Sequence, residues 1–131
     1  MSESALEVEV IGDGGPSAPP PAEVERLAAL AAASAGVEDG HVAVEFVGAA
    51  RIAALNGEFR GEDGPTDVLS FPVDEAGPAA GARELGDVVI CPDFTEDLRE
   101  AVVHGVLHLV GMDHETDDGE MLALQRELLS W

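Results

Sequence analysis

The sequence has no lysine and no tyrosine, and only six of its 131 residues are basic, all of them arginine. Against these stand 27 aspartates and glutamates, which give a formal net charge of −21 at pH 7. So few cations argue against an ordinary sequence-indifferent nucleic-acid binder, because such proteins place positive charges on phosphates. An apolar fraction of 46% argues equally against a disordered chain, despite the charge.

Cysteine is also scarce, and long apolar runs are missing. The single cysteine, Cys91, cannot form an internal disulfide, so the sequence is not that of a secreted disulfide scaffold. No apolar stretch approaches the ~20 residues of a membrane-spanning helix. The first ten residues are acidic and alternating, unlike a signal peptide. We therefore expect a cytoplasmic protein with no membrane partner, and the length predicts a single domain over residues 1–131.

Hydrophobic periodicity predicts four strands and four helices. The strands are expected near 6–11, 41–47, 67–73 and 86–91, and the helices near 22–35, 49–59, 93–110 and 117–129. Asp93, with Glu96 three residues later, is typical of a capping box at the start of the third helix. The inner face of the fourth helix is expected to consist of Met121, Leu122, Gln125, Leu128 and Leu129. The order β-α-β-α-β-β-α-α predicts an α+β fold in which helices pack on one mixed four-stranded sheet.

Three of the four histidines fall within eleven residues, at His104, His108 and His114. Positions i and i+4 of a helix share a face, and Gly111 allows a turn that brings His114 toward the other two. Three imidazoles with an open fourth position are the ligand set of a catalytic zinc site, although they also suit nickel, copper or cobalt. Core histidines are the alternative, but burying imidazoles without partners costs roughly 1–3 kcal/mol per group. The fourth histidine, His41, is expected to be structural or exposed.

The same stretch matches the zinc-peptidase pattern His-Glu-x-x-His-x-x-Gly-x-x-His with one departure. Gly105 stands where that pattern has its glutamate, which is the general base of those peptidases. We therefore expect a metal site without the machinery for peptide hydrolysis.

Three blocks of sequence stand out together. They are His-Gly-Val-Leu-His-Leu-Val-Gly-Met-Asp-His at 104–114, Leu-Asn-Gly-Glu-Phe-Arg at 55–60 with Pro-Thr-Asp-Val-Leu-Ser-Phe-Pro at 65–72, and Leu-Gly-Asp-Val-Val-Ile-Cys-Pro at 85–92. In this order they resemble the YbeY family of zinc-dependent endoribonucleases, which are rRNA maturation factors. The resemblance covers roughly residues 5–129 and implies a YbeY-like fold.

The resemblance also implies a function and a set of site residues. The implied function is single-strand-specific RNA cleavage in 3′-end maturation of small-subunit (16S) rRNA and in ribosome quality control. One Zn²⁺ per chain is implied at His104, His108 and His114, and a zinc-bound water is the implied catalytic group because zinc lowers the pKa of water toward ~7. Arg60 matches the family's functional arginine and can hold phosphate bidentately. Without the resemblance, Arg60 is better interpreted as a solvated loop charge.

Four further residues are assigned to the surroundings of the site. Asp113 either orients a zinc ligand through a hydrogen bond or caps the turn. Thr66, Asp67 and Ser70 are expected to line the cleft from the neighbouring strand, although Asp67 is also explained as a turn residue. Cys91 follows an apolar strand and is expected to be buried and inert.

The sequence departs from the family pattern on the side expected to face RNA. Only eleven residues, 93–103, separate the Cys-Pro pair from His104, where family members usually have a longer helical segment. Met112 replaces a common tyrosine, and Glu62 stands where a lysine is frequent. Each change removes surface or positive charge.

The expected partner is single-stranded rRNA, with ribosomal proteins or a ribosome-assembly GTPase as further candidates. Two other functions stay open. One is a ribosome-associated binding protein with a structural metal, whose acidic surface docks on basic proteins. The other is a different zinc hydrolase, of which a peptidase is disfavoured by Gly105.

Overall fold

A computed structural model describes residues 5–12, 14–16, 18–37, 39–72, 84–111 and 119–130. The elements in chain order are β1 (Ala5–Ile11), α1 (Pro21–Ser34), β2 (Asp39–Phe46), α2 (Ala49–Arg60), β3 (Val68–Pro72), β4 (Glu84–Ile90), a 3-10 turn (Pro92–Phe94), α3 (Leu98–Leu109) and α4 (Glu120–Leu129). The predicted element order and the α+β class are therefore confirmed. None of the helices among the described residues has the length and the apolar character that a membrane span requires.

The four strands form one mixed sheet in the order β1-β2-β4-β3. β1, β2 and β4 run parallel, and β3 pairs antiparallel with β4. A β-bulge interrupts the pairing of β2 with β4, and Gly86 sits there with a φ of +129°, against the backbone of β3. A side chain at this position is strained and overlaps β3, so glycine is required. Because of the extra residue, Glu84 and Asp87 point to the same face of the sheet as His41.

The two faces of the sheet are covered differently. On one face α1 and α3 pack over the strands, with α4 beside them, and bury the larger apolar core, which includes Leu27, Val44, Val88, Ile90, Val102 and Leu107. On the other face α2 packs on β3 and β4 over a smaller cluster of Ile52, Leu55, Leu69, Val89 and Cys91. The expected burial of Cys91 is confirmed. Helices α2 and α3 therefore lie on opposite faces of the sheet.

The third helix begins later than the sequence predicts. Its N-cap is Asp97, whose carboxylate accepts hydrogen bonds from the backbone amides of Arg99 (3.0 Å) and Glu100 (3.2 Å). Residues 92–94 form a separate 3-10 turn instead of the first helical turn. The prediction of a cap at Asp93 is wrong because Pro92 and the end of β4 hold the chain in a tight turn before α3 can start.

The fourth helix buries most of the inner face that the sequence predicts. Leu122 is 44% exposed, so its assignment to the inner face is wrong. The buried positions are Met121, Gln125 and Leu128, which follow the i, i+4, i+7 spacing of one helical face. The predicted inner face is therefore confirmed at these three positions, and it directs a polar residue, Gln125, toward α3.

Candidate metal centre and cleft

His104 and His108 lie one turn apart on α3, on the same face and both half-buried. Their Nε2 atoms are 3.2 Å apart, and the two rings meet edge-on with centroids separated by 4.7 Å. Two imidazole nitrogens bound to one tetrahedral zinc at about 2.0–2.1 Å are themselves separated by about 3.3–3.4 Å. The pair therefore fits two ligands of a shared metal ion.

Gln125 supports this pair, although no motif in the sequence marks it as a site residue. It is 5% exposed, and its Oε1 lies 2.9 Å from Nδ1 of His104. An amide oxygen only accepts, so Nδ1 of His104 donates and its Nε2, which faces His108, carries the lone pair that a metal requires. The one feature of the sequence that points to Gln125 is its position as a polar side chain on the apolar face of an amphipathic helix.

Gly105 lies between the two histidines, where α3 packs closely on β4. A Cβ at this position would overlap the side chain of Val88, so the helix can approach the sheet this closely only with glycine. The backbone carbonyl of Gly105 also accepts a hydrogen bond from the hydroxyl of Ser70 on β3 (3.0 Å). A glutamate at this position has no room, which gives a packing reason for the departure from the peptidase pattern.

The remaining residues of the histidine motif lie partly beyond the described ranges. Helix α3 ends at Leu109, and Gly111 has a φ of +101°, as expected for a turn that only glycine makes easily. His114 and Asp113 lie outside the described residues, so their assignment as third ligand and as orienting residue stays a prediction.

A cleft of about 480 Å³ opens beside His104. The start of β3, the 3-10 turn and the first half of α3 supply its walls, which consist of Asp67, Val68, Phe94, Thr95, Glu96, Asp97, Glu100, Ala101 and His104. Four of these residues are carboxylates, and the ring of Phe94 is 51% exposed. The field in the cleft is therefore negative, which favours hydrogen-bond donors and cations over phosphates.

Asp67 is both a turn residue and a wall of this cleft. Its carboxylate accepts hydrogen bonds from the amide of Val68 (2.8 Å) and the hydroxyl of Thr66 (3.2 Å). Its backbone carbonyl accepts from the amide of Cys91 (2.8 Å), which fixes β3 against the end of β4. Asp67 therefore has both of the roles that the sequence suggests: it stabilises the turn before β3, and it lines the cleft. Thr66 and Ser70, which were also expected to line the cleft, are not among these wall residues: the hydroxyl of Thr66 donates to Asp67, and that of Ser70 donates to Gly105.

Arg60 lies at the C-terminal end of α2 and is exposed. Since α2 covers the opposite face of the sheet from α3, the residues 61–66 must carry the chain around the β3 edge to Asp67. Asn56 holds that loop, because its amide Nδ2 donates to the carbonyl of Gly64 (2.9 Å). The structure thus places Asp67 and His104 in one cleft, with His108 next to His104 and Arg60 at the start of the loop that leads to Asp67.

His41 lies away from the cleft, on the part of the sheet that α2 leaves open. Its Nδ1 lies 2.8 Å from the carboxylate of Glu84 and its Nε2 lies 3.3 Å from that of Glu9. The hydrogen bond with Glu84 raises the pKa of His41 above its ordinary value of 6.5. Burial raises the pKa of Asp87, and the charge of Glu84 adds to that effect. This cluster joins three strands, so His41 has the structural role expected for it.

Comparison with known proteins shows to which family the chain belongs. A family model described as Endoribonuclease YbeY matches residues 21–131. The chain belongs to the YbeY endoribonuclease family. It is 40% identical over 143 residues to the Endoribonuclease YbeY of Azorhizobium caulinodans, covering 95% of this chain and 90% of that one. It is 42% identical over 129 residues to that of Geobacillus kaustophilus, covering 82% and 83%.

A solved structure agrees with the YbeY assignment at the level of the fold. The solution structure of a Thermotoga maritima protein matches with a TM-score of 0.54 and 29% sequence identity, and the match covers 94% of this chain and 87% of that one. The resemblance stated from the three sequence blocks is thereby confirmed, as is the YbeY-like fold.

Proposed function

We propose that this member of the YbeY family is a metal-dependent endoribonuclease of the cytoplasm that cleaves single-stranded RNA. We assign it to 3′-end maturation of small-subunit (16S) rRNA and to ribosome quality control. Membership of the family supports RNA as the substrate. The observation that carries the proposal is the approach of the His104 and His108 Nε2 atoms to 3.2 Å at the edge of an open cleft.

Zinc is the metal that we assign to this centre, with one ion held by His104, His108 and, from the sequence, His114. A zinc ion there supplies a Lewis acid that polarises a phosphoryl oxygen and acidifies water. The imidazole donors and the 3.2 Å spacing support this assignment. Nickel, copper and cobalt are the alternatives that elemental analysis distinguishes.

The side chains around the centre have distinct tasks in this proposal. Gln125 fixes the tautomer and the ring orientation of His104, so that Nε2 stays available. Arg60 holds a phosphate of the substrate and offsets its charge, which a cleft walled by carboxylates cannot do. Asp113 orients a ligand imidazole, and Asp67 shapes the cleft beside His104.

A ribosome-associated binding protein with a structural metal is the second candidate function. The four carboxylates in the cleft favour it, because they suit a basic ribosomal protein or a basic segment of a ribosome-assembly GTPase. Peptide hydrolysis is disfavoured, since Gly105 packs against Val88 where a peptidase has its glutamate.

Cleavage by the purified, zinc-loaded chain tests the proposal, with single-stranded RNA that carries a 16S 3′-end sequence as substrate. We expect specific internal cleavage by the wild type, and only metal-free background from His108→Ala. His41→Gln is the matched control, because it changes a histidine outside the cleft and should keep activity. Equal background cleavage by wild type and His108→Ala contradicts the proposal. Pull-down of basic ribosomal proteins after nuclease treatment then tests the binding alternative.

A further inference from the structure

We propose that Phe94 is a base-stacking residue, which holds one unpaired nucleobase in the cleft beside His104. We infer further that the carboxylates around it select a base whose edge carries N–H donors, with guanine preferred and uracil disfavoured. This inference rests on the proposed function, because it takes single-stranded RNA as the ligand of the cleft.

The phenyl ring of Phe94 is exposed to solvent in the cleft. Half of its surface is open to solvent (51% exposed), and it lines the same cleft as His104. An exposed phenyl ring offers a flat, uncharged face on which any base can stack. Because Phe94 and His104 line one cleft, a base stacked on the ring would share that cleft with the histidine pair.

Hydrogen bonds hold the backbone turn that carries Phe94. The ring lies on the Pro92–Phe94 turn, in which the amide of Phe94 donates to the carbonyl of Cys91 (3.1 Å). The hydroxyl of Thr95 donates to the same carbonyl (2.7 Å), and Cys91 itself is fully buried. The ring is therefore presented from a fixed backbone, so that little conformational entropy is lost when a base stacks on it.

The other phenylalanines of the chain are placed differently. Phe46 is buried, and Phe71 is half-buried on the smaller core cluster. Phe59 is 60% exposed, but its ring meets the ring of Phe71 edge-on, with centroids 5.1 Å apart, on the α2 side of the sheet. Among these four rings, Phe94 is the one that lines the cleft.

The charge of the cleft decides which part of a nucleotide enters it. Glu96 and Glu100 project from the same segment as Phe94, and Glu100 lies one turn before His104 on the same face of α3. These carboxylates repel phosphates, so the backbone of the RNA stays outside while an uncharged base enters. A base is available for this only in single-stranded RNA, where it can be splayed out.

The same carboxylates discriminate among bases. An ionised carboxylate only accepts hydrogen bonds, and its two oxygens match two parallel N–H donors. Guanine presents such a pair at N1 and N2, whereas adenine and cytosine present one amino group. Uracil presents a single N–H between two carbonyl oxygens, which a carboxylate repels. The expected order is therefore guanine, then adenine and cytosine, then uracil.

Binding of short RNA to the metal-free full-length chain tests the stacking role without any need for cleavage. The probe is a single-stranded RNA pentamer with 2-aminopurine at its centre, whose fluorescence is quenched when the base stacks. Phe94→Ala should weaken binding roughly five- to 150-fold and abolish the quench. Phe94→Leu, which keeps an apolar side chain, should lose the quench as well, and Phe94→Trp should retain it. Leu122→Ala is the control for an exposed apolar residue outside the cleft and should bind as the wild type does.

Base selection is measured with unlabelled pentamers that differ at the central position and compete with the probe. Guanine should bind at least about fivefold more tightly than uracil, and inosine, which lacks the N2 amino group, should fall between them. Wild-type affinity and quenching in Phe94→Leu overturn the stacking role, and equal affinities for guanine and uracil overturn the selection. If the wild type stacks and selects bases but does not cleave RNA, the proposed function is wrong and the stacking inference stands. If the wild type cleaves RNA but Phe94→Leu binds and quenches the probe as the wild type does, the stacking inference is wrong and the proposed function stands.

Discussion

At the scale of single residues, the hydrogen bond between Gln125 and His104 prepares the centre for a metal. Gln125→Leu keeps the volume of the side chain but leaves Nδ1–H of His104 without its acceptor. We expect zinc affinity to fall about 10–100-fold, as is typical when the partner of a ligand histidine is removed. Competition with a chromophoric chelator measures this affinity. Gln125→Glu keeps an acceptor oxygen and should retain tight binding, whereas wild-type affinity in a folded Gln125→Leu contradicts the role assigned to Gln125.

At the scale of secondary-structure elements, the contact of α3 with β4 depends on Gly105. Gly105→Ala gains about 1 kcal/mol of helix propensity, but its Cβ overlaps Val88, and overpacking costs typically about 1–3 kcal/mol. We expect net destabilisation in urea unfolding. In a Val88→Ala background the overlap is absent, so the same substitution should become neutral or stabilising. A Gly105→Ala penalty that is unchanged by Val88→Ala contradicts this explanation.

The interaction of His41 with Glu84 predicts that the stability of the fold depends on pH. The pKa of His41 is raised in the folded protein by its hydrogen bond with Glu84, so its stabilising contribution is fully present below about pH 6.5 and is lost as the pH rises through the folded pKa. His41→Gln should therefore destabilise the protein more at about pH 5.5 than at about pH 8.5. Urea titrations at the two pH values measure the difference. An equal or larger effect at the higher pH contradicts it.

The elements also show how far the sequence could predict this structure. Strand and helix order followed from local periodicity, and the shared face of His104 and His108 followed from their spacing. The start of α3 did not, since Asp93 and Asp97 are both good caps and the turn after β4 decides between them. The inward position of Gln125 also followed from periodicity, but its bond to His104 joins residues 21 positions apart and depends on how α4 packs against α3, which local patterns do not determine.

At the scale of the whole molecule, the net charge of −21 predicts that salt stabilises the fold. Raising the ionic strength from about 0.1 to about 1 M shortens the Debye length from about 10 to about 3 Å and screens the repulsion among carboxylates. We expect the melting temperature to rise with potassium chloride at constant pH. Sucrose at matched osmolarity is the uncharged control, and a melting temperature that falls with salt contradicts the prediction.

The same charge predicts an unusual salt dependence of RNA binding. A protein that neutralises many phosphates loses affinity steeply with salt, with a slope of about −0.7 per phosphate for single strands. Here Arg60 is the cation assigned to a phosphate, and the cleft walls are acidic. The slope of log K against log salt should therefore lie between about 0 and −1. A slope of several units contradicts the arrangement proposed for the substrate.

The central claim is that a metal ion held by the His104–His108 pair makes this protein an endoribonuclease. The most direct test is a titration of the metal-free chain with zinc, in which bound metal and the rate of cleavage of single-stranded 16S 3′-end RNA are measured on the same samples. Cleavage should rise in proportion to occupancy and level off at one zinc per chain, and His108→Ala should show neither tight binding nor cleavage. Cleavage that is independent of zinc, or a fully occupied wild type that does not cleave, would contradict the claim.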